Sequence, residues 1–508
     1  MTGWAVDDER FLYPVRDCSI SGVNSPMSRP PAPEIPNIVA ALVMGSNGRR
    51  SYRSSMTKRF RMSSTLLLFL PLAACAHYEP RPLAADPLSA SVLQAPLNDI
   101  VSRDAATIAR PYLKPVALDL SAPLDPNGIA ILAVIANPDL KAQRARAGVS
   151  DAQVFAAGLL PDPSFSFGVD HILSGPDPLD NIAGALGFSL NALRTQKVQR
   201  AQAVAEARQI RLDLAWAEWQ TACNARLQAV RVLALEQALA NAATSADASE
   251  ALFGRYLKAA GRGDISPDQV QSSRIATLDA QSNFRSAQTN LATARSELHR
   301  LLGLPPGYPL QLAPASLPAP VPDADRLFAI ALAGRDDLAA LRAGYDAQES
   351  GVRRAILDQF PNLDLTLNGA RDTGGNKLVG PSIAFTLPLW NRNRGGIAIA
   401  EATREALRQE YDVRLFQTRA DIAAAASGLA IARQQFALLR DGMPALATFA
   451  LASRRAAQRG DLALATAEVA EQSLRDRQLL LLQSEQAIAE QTIALELLVG
   501  APQEAWTL

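Results

Sequence analysis

The side chains that most often do chemistry are few in this sequence. Only three of its 508 residues are cysteine and three are histidine. Their wide separation fits neither a disulfide framework nor a metal site; they are Cys18, Cys75, Cys223, His77, His171 and His299. Gly-x-Ser-x-Gly, a phosphate-binding loop and a histidine pair are all absent from the sequence. The sequence therefore predicts no enzymatic activity, no cofactor and no bound metal.

One cysteine does lie in a reactive context. The sequence LAAC, ending at Cys75, has the pattern of a bacterial lipobox, in which the thiol is lipidated and the cysteine becomes the mature N-terminus. Ala76 follows it, which in lipoproteins of this type implies sorting to the outer membrane. We predict that Cys75 is the lipidation site. The alternative is a chance cysteine beside a signal peptide that is cleaved nearby.

Residues 56–74 fit the signal peptide that a lipobox requires. A basic stretch from Lys58 to Arg61 precedes an apolar run from Leu66 to Leu72, which is too short to span a bilayer as a helix. Residues 1–55 precede this signal and are rich in Pro, Ser and Arg without periodicity. We interpret them as a start-site artefact or a disordered extension, with Met56 as the true start and Met44 as the alternative.

The charge composition argues against one large class of partners. The chain has 50 basic and 50 acidic residues, so its formal net charge is zero. It also lacks a basic patch with interleaved aromatic residues. We therefore expect no nucleic-acid partner.

An internal duplication organises the rest of the chain. Five short matches keep an offset of about two hundred residues; they begin at Asn137 and Arg335, Pro163 and Pro361, Gly187 and Ala384, Gly261 and Gln458, and Leu301 and Leu498. The predicted organisation is an N-terminal linker and equatorial segment at 75–125, repeat 1 at 126–304, an inter-repeat linker at 305–323, repeat 2 at 324–502 and a tail at 503–508.

Each repeat contains the same predicted helices. A helix of about thirty residues (128–158 and 324–358) precedes two strands, and a very long helix follows them (195–259 and 395–457). An Arg-Gly-Asp turn then leads into a returning helix (264–302 and 461–499). A helix of sixty residues is about 90 Å long, and such length favours coiled-coil packing. The helices alone would fit a soluble helical bundle.

Four short segments alternate between apolar and small or polar residues, which predicts strands of about nine to eleven residues. Their apolar positions are Phe165, Phe167, Val169, Ile182, Leu186, Phe188, Leu190, Leu363, Leu365, Leu367, Val379, Pro381, Ile383, Phe385, Leu387 and Leu389. This length can cross an outer membrane, although a half-buried soluble sheet has the same pattern. Four strands cannot close a barrel, and open edges are not tolerated in hydrocarbon. Three copies would give twelve strands, enough for a channel.

Together, these features resemble the TolC-like outer-membrane efflux protein family from about residue 85 onward. The resemblance lies in the duplicated unit, NPDL at Asn137, AAGLLPDPSFSFG from Ala156, the paired RGD turns and LPLWNRNRGGIAIAEA from Leu387. The last motif is most similar to the cobalt–zinc–cadmium resistance branch. The first repeat departs from it, with FSLNALRTQKVQRAQA from Phe188.

The resemblance implies a mainly α protein with a membrane β-barrel: a homotrimer whose twelve-stranded barrel continues into a periplasmic α-helical barrel. It also implies a passive exit duct in the bacterial outer membrane, joined by a periplasmic adaptor protein to an inner-membrane resistance–nodulation–division transporter. The cargo expected from the branch is heavy-metal cations. A drug duct of the same fold is one alternative, and a lipid-anchored periplasmic coiled-coil scaffold is another.

Three groups of residues are candidates for function. By resemblance, the RGD turns are adaptor-docking tips, where Gly is suited to end one helix and Asp to cap the next. Acidic residues near them could form a gate ring that favours cations. The strand-to-helix junction of repeat 2 is read as structural, with residue types that suit a tight turn. The tip residues are Arg262, Gly263, Asp264, Arg459, Gly460 and Asp461; the gate candidates are Asp264, Asp268, Asp461 and Glu468; the junction residues are Pro388, Asn391, Asn393 and Gly395.

Overall fold

A computed structural model describes residues 78–83, 86, 93–177, 179–314 and 321–507. The predicted start site, signal peptide and Cys75 lie outside these residues, as does part of the inter-repeat linker. The chain divides into two units, Met1–Pro82 and Leu83–Leu508. The second unit contains every helix and strand of the described residues.

The described residues are mainly helical, with one small sheet. In chain order the elements are α1 (Asn98–Ala106), α2 (Pro126–Ala136), α3 (Pro138–Gly158), β1 (Ser164–Asp170), β2 (Asn181–Ser189), α4 (Leu190–Ala260), α5 (Pro267–Leu301), α6 (Ala324–Gly334), α7 (Asp336–Leu357), β3 (Leu363–Arg371), β4 (Lys377–Phe385), α8 (Arg394–Arg459), α9 (Leu464–Val499) and a short 3₁₀ helix (Gln503–Thr507). The order of the six elements α2 to α5 is repeated from α6 to α9. The domain boundaries given above stay a prediction.

The helix that opens each repeat is broken in two, so the prediction of single helices at 128–158 and 324–358 was wrong. In repeat 1 the break lies at Asn137, because the residue before a proline avoids helical backbone angles. Its Oδ1 atom accepts a hydrogen bond from Leu140 N at 3.0 Å and caps α3. In repeat 2 the break lies at Arg335, which has no proline after it.

Both breaks are bound to the end of the returning helix of the same repeat. Asn137 Nδ2 donates to the carbonyl oxygen of Leu301 at 2.9 Å, and Arg335 Nη1 donates to that of Leu498 at 2.7 Å. Gly303 follows the first of these ends with φ of +62°, and a Cβ there would overlap the carbonyl oxygen of Ala136. Two different side chains thus make the same connection, which fixes the short helices against the long hairpins.

The buried core lies where these short helices meet the long ones. In repeat 1, α2 is apolar all round and packs with residues of α4 and α5, with Ile131 and Leu132 fully buried. In repeat 2, Leu327 of α6 packs with Ile422, Leu495 and Trp506. The two long hairpins, α4 with α5 and α8 with α9, extend beyond this core. At 71 residues, α4 is about 107 Å long.

The four strands form one antiparallel sheet in the order β1-β2-β3-β4. The hairpins predicted in each repeat are present, and β2 pairs with β3 to join the repeats. Three strands have nine residues, whereas β1 has seven. Leu190, Leu387 and Leu389 lie outside the strands. All four connections to helices leave the same end of the sheet, so the two hairpin loops lie at the other end.

Candidate functional site

One face of the sheet is almost entirely apolar, and it is exposed. The register aligns Phe165 with Leu186, Leu186 with Leu367, and Leu367 with Pro381. Every apolar position predicted within the strands therefore falls on one face. The opposite face consists of Ser, Gly, Ala, Thr, Asn and Asp, with Leu378 as its one large apolar residue. Phe165 is 72% exposed and Val379 is 81% exposed. An apolar surface of this extent on one chain indicates contact with lipid or with another molecule.

The sheet is open at both edges. Within the described residues, β1 pairs only with β2 and β4 pairs only with β3, so each outer strand leaves a row of backbone donors and acceptors without strand partners. Hydrocarbon does not tolerate such an edge, because unpaired backbone groups cannot be solvated there. If the apolar face contacts lipid, the edges must therefore be paired with other strands.

The two repeats meet along α4, which packs on both α7 and α9 of repeat 2, and ion pairs connect α4 to α9. Arg226 of α4 contacts Glu496 of α9 at 2.5 Å, with the carboxylate side chain only 5% exposed. Farther from the core, Arg231 contacts Glu490 at 2.9 Å. Near the tips, Arg255 of α4 contacts Glu468 at 3.2 Å. We call this contact the α4–α9 seam.

The equivalent helix of the second repeat, α8, presents an apolar stripe to the exterior of the chain. The stripe consists of Val413, Phe416, Ile431, Leu438 and Phe449, which are 53–79% exposed. Their spacing places them within about 60° of one another around a helix of 3.6 residues per turn. The same helix is the one candidate membrane span found in the described residues. At 66 residues, about 99 Å, it is far longer than a bilayer is thick.

If neighbouring copies in an assembly pack as the two repeats pack within one chain, the α8 stripe would face a specific helix of the next copy. Because α4 packs on α9 within the chain, α8 would pack on the α5 helix of a neighbouring copy. Ile275 and Leu278 of α5 are three residues apart, and both are more than half exposed. Both helices thus have apolar side chains available for this contact.

Both RGD turns have the same backbone structure. Gly263 and Gly460 have φ of +81° and +83°, a conformation that favours glycine. The N–H groups of Asp264 and Asp461 donate to the carbonyl oxygens of Ala259 and Ala456, five residues back, in the pattern of a Schellman motif.

The assignment of the turn aspartates as helix caps was wrong. The N-cap of α5 is Ser266, which forms a capping box with Gln269, and the N-cap of α9 is Ala463. Each aspartate instead pairs with the arginine of its own turn, Asp264 with Arg262 and Asp461 with Arg459, both at 2.8 Å. The arginines thus compensate the negative charges of these two carboxylates.

The four carboxylates predicted for the gate ring differ in whether a basic side chain already pairs with them. Asp264 and Asp461 are paired within their turns, and Glu468 is paired with Arg255 in the α4–α9 seam. Asp268 lies in the first turn of α5 and is exposed. In the described part of the chain it has neither an ion pair nor a side-chain hydrogen bond, so it offers the most available negative charge of the four.

The strand-to-helix junction of repeat 2 contains the two left-handed non-glycine residues found in the described part of the chain. Arg392 and Asn393 have φ of 44° and 51°. Asn393 Nδ2 donates to the carbonyl oxygen of Ala355 at 2.8 Å and so ties the junction to α7. Gly395 has open space around it, whereas a Cβ at Gly396 would overlap the carboxamide of Asn393. In repeat 1, by contrast, β2 leads directly into α4.

A buried carboxylate in repeat 1 has two basic partners. Glu218 of α4 is 1% exposed and contacts Arg144 at 2.7 Å and Arg110 at 2.5 Å. Burial alone would raise the pKa of Glu218, but the hydrogen bonds from Arg110 and Arg144 together outweigh burial and hold that pKa below its ordinary value. This group fastens α4 to α3 and to the N-terminal segment.

The other polar groups suggest no reaction chemistry. Within the described ranges, no cluster of three or more His, Cys, Asp or Glu side chains could hold a metal ion. A cleft of about 980 Å³ lies between residues 112–127 and the helices α4 and α9. Its basic residues Arg226 and Lys114 are already paired with Glu496 and Glu504.

The sequence analysis predicted neither the α8 stripe nor the α4–α9 seam. The successive residues of the α8 stripe are 3, 15, 7 and 11 positions apart, spacings that a search for helical periodicity along 413–449 could have found. The α4–α9 seam joins residues more than 200 positions apart, and the charges alone do not show which of the many arginines and glutamates meet.

Comparisons with known proteins agree with this architecture. Residues 327–501 match the family described as Outer membrane efflux protein. A 215-residue segment is 28% identical to the cobalt-zinc-cadmium resistance protein CzcC of Cupriavidus metallidurans, over 40% of this chain. The match spans 49% of CzcC, about half its length.

Solved structures share the fold over most of the chain. CusC, whose structures concern folding and transmembrane channel formation, aligns with a TM-score of 0.63 and 16% identity over 74% of this chain and 92% of its own. The outer membrane protein VceC of Vibrio cholerae aligns with a TM-score of 0.62 and 16% identity over 74% of this chain and 96% of its own. At this level of identity the likeness shows the fold alone.

These comparisons confirm two predictions made from the sequence. The match of repeat 2 to the Outer membrane efflux protein family supports the prediction that the chain is not an enzyme. The match to CzcC also agrees with the branch that the motif at Leu387 suggested. Residues 327–501, nearly all of repeat 2, thus match the Outer membrane efflux protein family, and the chain shares the fold of CusC and VceC, as the resemblance to TolC-like proteins predicted.

Proposed function

We propose that the protein is the outer-membrane exit duct of a tripartite efflux system and works as a homotrimer. The observation that carries this proposal is the open sheet, with an exposed apolar face and two unpaired edges. Three copies would supply twelve strands, closing the edges and placing the apolar face against lipid. The face of small and polar residues would then line a watery lumen.

The helices support the same assembly. The α8 stripe of one copy would pack on α5 of the next, as α4 packs on α9 within each copy. Six long hairpins, two from each chain, would then form a tube that continues the lumen into the periplasm. A soluble scaffold would not need the apolar sheet face, so the scaffold alternative has less support.

The RGD turns are the proposed docking tips for a periplasmic adaptor, which would connect the duct to an inner-membrane resistance–nodulation–division transporter. They lie at the ends of the long hairpins that are farthest from the sheet. Asp268 is the gate candidate that the geometry favours, because the other three carboxylates already have basic partners. Three copies would present three such carboxylates, which would favour cations over anions.

Heavy-metal cations are the proposed cargo. The support is the similarity to CzcC, a cobalt-zinc-cadmium resistance protein, over less than half of this chain. In a duct the metal is cargo rather than a resident ligand, so no built metal site is required. We further propose that Cys75 carries the lipid anchor and that the protein lies in the bacterial outer membrane.

Two experiments test the proposal. Purified protein added to planar lipid bilayers should give discrete conductance steps, and the absence of any conductance would contradict the duct. A strain that lacks the gene should become more sensitive to cobalt, zinc or cadmium, and the intact gene should restore growth. Sensitivity to drugs without sensitivity to metals would select the drug-duct alternative.

A further inference from the structure

Two basic residues lie at the loop end of the apolar face of the sheet. At the loop end of the sheet, Arg371 is the last residue of β3 and pairs directly with Lys377, the first residue of β4. Arg371 also pairs with Ile182, which in turn pairs with Val169. Both basic residues therefore lie on the face that carries the phenylalanines and leucines, and not on the polar face.

The rest of that face carries no charge. From the row of Leu363 and Phe385 to the row of Gly369 and Val379, every residue of the face is apolar or glycine. Arg371 lies eight residues along β3 from Leu363, about 27 Å at 3.4 Å per residue. This separation is close to the height of about 25 Å for the apolar band of an outer-membrane barrel.

The two cations are not compensated within the chain. Like charges directly opposite each other on neighbouring strands are destabilising. Nε of Arg371 is buried without a hydrogen-bond partner. Over the described ranges, no carboxylate forms an ion pair with Arg371 or Lys377. The nearby turn carboxylate Asp372 instead accepts hydrogen bonds from Asn376.

We propose that Arg371 and Lys377 form a binding site for the phosphate groups of the glycolipid in the outer leaflet. The inference rests on the proposed function, because it requires that the sheet spans the outer membrane with its loops outward. The pair then lies where the apolar band meets the outer headgroups. A phosphate offers several acceptor oxygens, and a guanidinium and an ammonium bind it through charge-assisted hydrogen bonds.

The site would help to fix the depth and orientation of the barrel. The helix-connected end of the same face carries no charged residue within the strands, and Phe385 lies there instead. Phosphate affinity at one end of the sheet only would favour insertion with the hairpin loops toward the glycolipid leaflet.

The test measures binding of diphosphoryl lipid A to the full-length protein in detergent by native mass spectrometry, with dephosphorylated lipid A as the second probe. Unaltered protein should bind the phosphorylated form more tightly. Because each basic residue near an anionic lipid surface contributes a factor of about five, Arg371→Gln with Lys377→Gln should weaken that binding roughly twenty-five-fold. Arg371→Lys with Lys377→Arg should retain it.

The matched control is Arg146→Gln with Arg353→Gln, which removes two exposed arginines from helices α3 and α7 and should leave lipid A binding unchanged. Equal affinity of unaltered protein for the two forms of lipid A would overturn the inference, even if the Arg371→Gln, Lys377→Gln variant failed to fold. Unchanged lipid A binding by the Arg371→Gln, Lys377→Gln variant would overturn it as well. Inorganic phosphate that displaced lipid A at micromolar concentration would show a site for free anions and also contradict the inference.

Bilayer conductance, measured on the same samples, separates the two proposals. Normal conductance together with phosphate-independent lipid binding would refute the lipid site and leave the duct intact. A protein that never enters a bilayer would refute the duct, and the lipid site with it.

Discussion

The α4–α9 seam and the α8 stripe are equivalent places in the two repeats, and they are built differently. Three ion pairs cross the seam within one chain, from Arg226–Glu496 near the core to Arg255–Glu468 near the tips. The stripe presents Phe416, Leu438 and other apolar side chains outward. An interface that forms as the chain folds can rely on specific polar pairs. One that exists only in an assembly relies on apolar burial, as obligate interfaces do.

The difference is also visible at single aligned positions. At the repeat offset of 197, Glu218 of α4 corresponds to Leu415 of α8, and Arg226 corresponds to Ala423. Duplication thus preserved the helices and turns, while the polar connections diverged. The comparison predicts which substitutions should affect the assembly and which should affect the single chain.

The largest expected effect comes from charging the stripe. Phe416→Glu combined with Leu438→Glu should weaken trimer formation by at least about a hundredfold, because it replaces buried apolar area with carboxylates. Native mass spectrometry in detergent would show single chains in place of trimers. Leu451→Glu is the matched control, since Leu451 lies on the far side of α8 and is 48% exposed. Intact trimers in the double variant would contradict the assignment of the stripe.

Loss of the buried carboxylate of repeat 1 should be the next largest effect. Glu218→Gln leaves Arg110 and Arg144 without their partner, which should cost about 3 kcal/mol of unfolding free energy. Thermal unfolding followed by circular dichroism would measure the change in midpoint. Glu236→Gln, which breaks an exposed pair with Arg295, should cost less than about 0.5 kcal/mol.

The Glu218 effect should depend on pH. Because the pKa of Glu218 is held below its ordinary value in the folded state, its stabilisation is present above the ordinary glutamate pKa of about 4.3. It is lost as the pH falls through the folded-state pKa. The difference between the variant and unaltered protein should therefore shrink below about pH 4. A difference that is constant from pH 7 to pH 3 would contradict the ion-pair explanation.

The pairs of the α4–α9 seam should contribute according to burial. Glu496→Gln leaves the largely buried Arg226 unpaired and should cost about 2 kcal/mol, whereas Glu490→Gln should cost less than about 1 kcal/mol. Thermal midpoints of the two variants make the comparison directly. Equal midpoints would show that apolar contacts across the seam, such as those of Trp219 and Cys223 with Ile493, hold it alone.

The smallest expected effect is on ion selectivity at the tips. Asp268→Asn should lower the cation preference of the conductance roughly twofold, because it removes one uncompensated carboxylate from each copy. Asp461→Ala should change it less, since Asp461 is paired with Arg459. Reversal potentials in a salt gradient would measure both variants. An effect of Asp461→Ala larger than that of Asp268→Asn would return the gate assignment to the turns.

Most of the architecture could be predicted from the sequence, because it depends on local periodicity. Two-residue alternation identified all four strands and the parity of their apolar face, and the repeat supplied the element order. The helix breaks were missed: Pro138 could have indicated the first, but only the contacts of Arg335 account for the second. The caps were misassigned because Ser266, with Gln269 three residues later, is a better capping signal than Asp264.

The candidate site was less predictable, because it depends on pairing between distant residues. Whether a carboxylate is free or paired decides its role, and Glu468 could be matched with Arg255 only in three dimensions. The pairing of Arg371 with Lys377 likewise depends on the three-dimensional structure. Their charge and their parity with Leu367 and Val379 are plain in the sequence, but only the strand register makes them direct partners.

In the proposed duct, each chain supplies one third of the wall. Native mass spectrometry of the purified protein, released from detergent micelles, tests it most directly. We expect one dominant species with the mass of three chains, converted to single chains by Phe416→Glu with Leu438→Glu. A stable single chain that still conducts in bilayers would contradict it.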